Sequence, residues 1–148
     1  MSFAVSALVL LLCAPALSQT TPTIDHLAVH VHDLEKSAQF YEKVMGFSRI
    51  PDPFNDGTHV WFRVGEHQQL HVVSGAAAAS PSSHDIRVHM AFRVASVADF
   101  RKRLEAMKVP YRGIRDEPGH MSLRPDGVKQ IYFQDPDGYW IEVDDDRF

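Results

Sequence analysis

The sequence predicts an α+β domain assembled from two βαβββ modules. Three observations carry that prediction: an alternating strand-like run near residue 26 that leads into a capped amphipathic helix, the return of the same pattern 63 positions later, and strand-like runs behind each helix. The 148 residues are 45% hydrophobic and 23% charged, which is ordinary globular composition and about one domain's worth of chain. At that size roughly two-thirds of the unfolded surface can be buried. A core can therefore form without metal or disulfide staples.

Module one is placed at residues 23–74. From Ile24 to Val31, Leu27, Val29 and Val31 share one face of a strand, while His26, Ala28 and His30 share the other. Asp33 is an N-cap, Leu34, Ala38, Tyr41 and Met45 recur at helical spacing, and Gly46 closes the helix. Three strand-like runs follow, around Phe47–Ile50, His59–Val64 and Gln68–Ser74, separated by Pro51-Asp52-Pro53, Asn55-Asp56-Gly57 and Gly65-Glu66. Residues 75–86 are rich in Ala and Ser, lack periodicity and read as a linker.

Module two is placed at residues 87–144. Val88–Val94 repeats the strand, and Ser96 caps a helix carrying Val97, Phe100, Leu104 and Met107. At an offset of 63, His26 meets His89, Ala28 meets Ala91, Val31 meets Val94, Leu34 meets Val97 and Val44 meets Met107. Strands near Tyr111–Ile114, Lys129–Gln134 and Tyr139–Val143 complete this copy, the last two joined by the turn Asp135-Pro136-Asp137-Gly138. A lone half would leave a sheet face bare, so the halves must pair with each other or with those of a second chain.

Residues 1–18 carry no charged side chain, and the apolar run Phe3–Leu12 is too short to span a bilayer. With Pro15 ending the run and Ala16-Leu17-Ser18 before Gln19, this segment reads as a signal peptide, leaving residues 19–148 as a single domain. Export follows as an expectation: a secreted or periplasmic protein, without membrane association after cleavage. Cleavage there also removes Cys13, the single cysteine, which suits an exported chain that does not rely on disulfides.

Composition narrows the chemistry. Fifteen Lys and Arg against nineteen Asp and Glu give a net charge of −4, so there is no cationic surplus for nucleic acid or an anionic membrane. One cysteine excludes an internal disulfide and a multi-cysteine zinc cluster. Any metal site must be built from the nine histidines and the carboxylates. No Gly-rich phosphate loop, nucleophile elbow or catalytic cysteine is present, which removes support for phosphoryl, hydride and acyl-enzyme chemistry. Glu142 lies between Ile141 and Val143, so a carboxylate facing the interior there would need a partner. His32, His59, His67, His84 and His120 fall in loops or at strand ends and read as surface residues. Trp61, Phe62, Phe92, Tyr132 and Phe133 read as core or cavity wall, and Asp144-Asp145-Asp146 as a solvated tail.

Two stretches stand out: His26 followed by Asp33-Leu34-Glu35-Lys36-Ser37 and Phe40-Tyr41-Glu42-Lys43-Val44-Met45-Gly46-Phe47, and Phe133-Gln134-Asp135-Pro136-Asp137-Gly138-Tyr139-Trp140-Ile141-Glu142. They resemble the vicinal-oxygen-chelate superfamily of glyoxalase I, bleomycin-resistance proteins and extradiol dioxygenases. The ending is most similar to glyoxalase I-like proteins. The resemblance implies a cupped sheet around a divalent metal, Zn, Ni or Co with Fe or Mn as further possibilities, held by His26, His71, His89 and Glu142. By the same resemblance Glu142 is the catalytic base, stabilisation of an enediolate of a small hydroxy-carbonyl substrate is the reaction, and a homodimer is the assembly. Glyoxalase I proteins hold glutathione with an arginine four residues after the first ligand and an asparagine four after the second. Here those places are His30 and Gly75, which speaks against glutathione dependence. His30 and Arg93 then become substrate contacts, Arg93 as a bidentate carboxylate clamp. Two other readings stay open: a non-haem iron extradiol-type dioxygenase, and a metal-free small-molecule-binding protein of the bleomycin-resistance type.

Overall fold

The computed structural model describes residues 21–77, 85–115 and 117–147. The expected signal peptide with Cys13, His84 and residues 78–84 of the expected linker lie outside the described residues.

The first module runs β1 (His26–Val31), α1 (Leu34–Phe40), β2 (Ser48–Ile50), β3 (His59–Arg63) and β4 (Gln69–Ser74). The second runs β5 (His89–Arg93), α2 (Val97–Ala106), β6 (Tyr111–Arg112), β7 (Ser122–Leu123), β8 (Lys129–Gln134) and β9 (Trp140–Asp144). Each forms its own sheet, ordered β1-β4-β3-β2 and β5-β9-β8-β6, with β7 added on β8. In both, the first strand pairs in parallel with the last, and the other pairings are antiparallel.

Helix starts obey the repeat closely. The Asp33 carboxylate accepts the Lys36 amide at 3.0 Å, and the Ser96 hydroxyl accepts the Asp99 amide at 3.2 Å. Both the caps and the amides they bind are 63 positions apart. The first helix ends as expected on Gly46, left-handed at φ 77°, but its final turn, Tyr41–Met45, is π-helical rather than α-helical. In the second helix Met107 is already the C-cap and is 38% exposed, so the buried stripe ends at Leu104.

Behind the helices the offset becomes 71. It relates Trp61 to Tyr132, Phe62 to Phe133, Leu70 to Ile141, His71 to Glu142 and Val72 to Val143. Module two is thus eight residues longer between helix and third strand. That extra length holds β7, a strand the sequence pattern does not announce.

Val29, Val31, Phe62, Leu70, Val72, Phe133, Ile141 and Val143 join Val97, Phe100 and Leu104 of α2 and Ala38 and Tyr41 of module one in one core. Phe40 meets Phe133 at 6.3 Å and Phe47 meets Phe92 at 5.3 Å, so the core crosses the modules. The turn after β8 fastens them further. Asp135 accepts the Tyr41 hydroxyl at 2.7 Å and the amides of Asp137 and Tyr139 at 3.0 and 2.9 Å. Asp137 accepts the Ser37 hydroxyl and the His32 amide, each at 2.7 Å. Burial raises the Asp135 carboxyl above its ordinary value, and burial beside Asp135 pushes the Tyr41 phenol well up. The sequence marks these four residues as a turn; their carboxylates also join the halves.

One expectation at the chain end needs correction. Asp144 is the last residue of β9, buried, paired with Gln130 and Arg93, while Asp146 holds Arg124 at 3.2 Å. Strand pairing on both sides of β9 draws this acid out of solvent. Among the described residues no helix is long and apolar enough to cross a membrane.

Candidate metal centre

Because Val29, Val31, Ile141 and Val143 point into the core, strand alternation turns His26, His30, Glu142 and Asp144 to the opposite faces. In module one, β1 and β4 pair His26 with Gln69 and Ala28 with His71, so His71 lies two residues beyond the partner of His26. In module two, His89 pairs with Trp140 and Ala91 with Glu142, which puts Glu142 two residues beyond the partner of His89. The two pairs share one backbone geometry.

Their side-chain chemistry differs. The His26 and His71 rings stack at 4.3 Å with 14° between planes, and Trp61, directly opposite His71 on β3, stacks against it at 3.8 Å and 9°. Asp25 meets His26 Nδ1 at 2.7 Å, and Gln69 meets His71 Nε2 at 2.9 Å. Each ring is fixed through one nitrogen, leaving His26 Nε2 and His71 Nδ1 as the other ring atoms. Burial, and after it the neighbouring His26, lowers the His71 pKa, which favours the neutral imidazole that metals bind. Among the described residues, the buried Trp61 indole N–H has no hydrogen-bond partner.

In module two, the Ile86 carbonyl lies 2.7 Å from His89 Nδ1, so that nitrogen carries the proton and Nε2 faces Glu142 Oε2 at 2.8 Å. Glu142 is only 7% exposed. Tyr132, directly opposite it on β8, donates its hydroxyl to the same Oε2 at 2.7 Å. Burial first, then Glu142, holds the phenol well above its ordinary pKa, so it remains a donor. Nε2 and the carboxylate oxygen thus lie in close contact, an imidazole nitrogen beside a carboxylate oxygen, which are donor types that divalent ions take.

The structure thus brings His26 to His71 and His89 to Glu142. Among the described residues, no three of these four place ligand atoms within 4.8 Å of one another. The group that does is Asp52, Asp56 and His59, in the loop before β3. Its carboxylates are engaged locally: Asp56 accepts the Thr58 hydroxyl and amide at 2.6 and 2.9 Å, and Asp52 accepts the Phe54 amide at 3.0 Å. The Thr58 hydroxyl is the main reason the Asp56 carboxyl falls to about 2.

Beside Glu142 is a cavity of about 390 Å³, lined also by Ala91, Arg93, Arg124, Asp144 and Asp146. Arg93 is therefore on the wall next to the carboxylate. His30 shares the His26 face, but its Nε2 is 3.2 Å from the Ser74 carbonyl and its backbone is held by the Tyr139 hydroxyl. Gly75 leaves room for that ring, since a Cβ there would come within 3.3 Å of Nε2. Sequence reasoning did not single out Arg124, nor separate Trp61 and Tyr132 from core aromatics. The signal that finds the last two is their register opposite His71 and Glu142.

The family profile described as the glyoxalase/bleomycin resistance protein/dioxygenase superfamily matches residues 23–143. A relative named glyoxylase I 4, from Arabidopsis thaliana, is 27% identical over 130 residues, covering 82% of this chain and 69% of its own. The lactoylglutathione lyase from Agrobacterium tumefaciens superposes with a TM-score of 0.63 at 24% identity, over 84% of this chain and 94% of that one. The fosfomycin resistance protein FosX from Listeria monocytogenes superposes at 0.66 with 19% identity, over 87% and 97%. At those identities the two structures share its fold.

Proposed function

The chain belongs to the glyoxalase/bleomycin resistance protein/dioxygenase superfamily, and from that premise we propose that it is an exported, metal-dependent lyase or isomerase acting on a small hydroxy-carbonyl compound without glutathione. The observation that carries the reading is the buried Glu142 carboxylate, 2.8 Å from His89 Nε2, at the repeat-equivalent place to His71 beside His26. His89 and Glu142, together with His26 and His71, would hold a divalent cation, which would supply Lewis-acid polarisation of the substrate's oxygens. Glu142 accepts the substrate's carbon-bound proton, Arg93 engages a substrate carboxylate from the adjoining cavity wall, and the Trp61 N–H offers a hydrogen bond to a substrate oxygen.

Since one chain holds these ligands as two separate pairs, a homodimer is the assembly that completes the site, module one of one copy facing module two of the other. The chain's His30 and Gly75, at the two glutathione-holding places of glyoxalase I, favour a smaller substrate.

The test combines metal analysis, sedimentation and a screen of hydroxy-carbonyl compounds across Zn, Ni, Co, Mn and Fe. One metal per two-module site in a dimer is expected, with His26→Ala and His89→Ala each lowering affinity at least tenfold. Glu142→Gln should stay folded, keep part of its metal and lose roughly a hundredfold or more in rate. Unchanged metal affinity in both histidine variants would reject the site. A near wild-type rate for Glu142→Gln would reject the base, and oxygen uptake with a catechol would move the assignment to a dioxygenase.

A further inference from the structure

We propose that Tyr132 is a positioning residue for Glu142: its hydroxyl pins Oε2 beside His89 Nε2 as a ready-made ligand pair and leaves Oε1 to accept the substrate proton. The proposal rests on the reading of Glu142 as both ligand and base.

Three observations support it. Tyr132 is 3% exposed, and its 2.7 Å bond to Oε2 lies within the same contact set as His89, whose ring meets the Tyr132 ring edge-on at 5.4 Å. One carboxylate oxygen therefore receives two neighbours, and the carboxylate plane is fixed. The location is the second observation: Tyr132 is directly across the ladder from Glu142, as Trp61 is directly across from His71. Each module thus places an aromatic opposite its last-strand candidate ligand. Its contact is matched to that ligand: a stacked indole for an imidazole and a hydroxyl for a carboxylate. Third, a glutamate has three rotatable side-chain bonds, and at the edge of a 390 Å³ cavity packing alone leaves its head group room to turn. A hydrogen-bonded outer partner removes that freedom, and loss of such partners typically costs about 10–100-fold in metal affinity.

The experiment is Co²⁺ titration by calorimetry of the full-length protein and four variants: Tyr132→Phe, Glu142→Gln, the double variant, and Tyr111→Phe. Tyr111 also donates to a carboxylate, Glu105 at 2.7 Å, from the same sheet but away from the site. Tyr132→Phe keeps the ring and should weaken Co²⁺ binding about tenfold or more, while Tyr111→Phe leaves it unchanged. In the Glu142→Gln background the Tyr132 change should add little, because its target is gone. Tyr132→Phe binding as tightly as the wild type would overturn the proposal while leaving Glu142 as a ligand. Equal losses in both backgrounds would show a general structural effect and overturn it too. If Glu142→Gln itself leaves affinity unchanged, the ligand reading falls and this proposal with it.

Discussion

The two modules have the same back and different fronts. On the core side, Phe62 matches Phe133, Leu70 matches Ile141 and Val72 matches Val143, all essentially inaccessible. On the outer side, the same strands carry His71 and Trp61 in one module and Glu142 and Tyr132 in the other, in the same register. Core packing constrains shape and volume, so both copies retain similar apolar side chains. The outer faces carry no such constraint, and there a half-buried ring stack occupies one copy while a buried carboxylate with two hydrogen-bonding neighbours occupies the other.

The largest expected effect tests the shared back. Phe62→Ala and Phe133→Ala each remove a fully buried ring and should cost about 3–5 kcal/mol in denaturant unfolding. That is a large part of the 5–15 kcal/mol typical of a domain. A cost near zero in one copy alone would break the equivalence of the two cores.

A second test addresses the place where the modules are unequal by construction. The β8–β9 turn sends Asp135 and Asp137 into module one. The matching β3–β4 turn, around Gly65-Glu66-His67, carries an acid that is exposed. Asp137→Ala would strand the buried Ser37 hydroxyl and the His32 amide and should cost roughly 1–3 kcal/mol. Glu66→Ala should stay within about 0.5 kcal/mol of wild type. Similar losses for both would mean the clasp contributes nothing specific to joining the halves.

How much of this was legible depends on which contacts are local. Alternation in β1 and β5, the caps Asp33 and Ser96 and the closing Gly46 are decided within a few residues, and each is where the pattern puts it. The 63-residue offset was readable for the same reason. The change to 71 was not, because β7 has two residues and lives by pairing with β8 rather than by any periodicity of its own. At the site, His26 and His89 announce themselves through the repeat. Tyr132 and Trp61 do not, because a strand aromatic reads identically whether it faces core or cavity until its ladder partner is known. The burial of Asp144 and the role of Arg124 in the cavity wall depend likewise on strands and loops far apart in sequence.

The smallest effect sharpens the comparison at the helix starts, where the repeat uses two residue types for one task. Asp33 and Ser96 each accept a single amide three residues on, at 3.0 and 3.2 Å. Removing either side chain with Asp33→Ala or Ser96→Ala leaves an amide without that acceptor and should cost about 1 kcal/mol. Exchanging the chemistry, Asp33→Ser and Ser96→Asp, keeps the acceptor and changes only the charge at the positive end of the helix, an effect of a few tenths to about 1 kcal/mol at low salt. Asp33→Ser should therefore destabilise slightly and Ser96→Asp stabilise slightly, with both differences shrinking in high salt as screening removes the dipole contribution. The unfolding midpoints of the four variants at two salt concentrations decide it: a salt-independent exchange would mean that the hydrogen bond, and not the charge, is all that the two caps have in common.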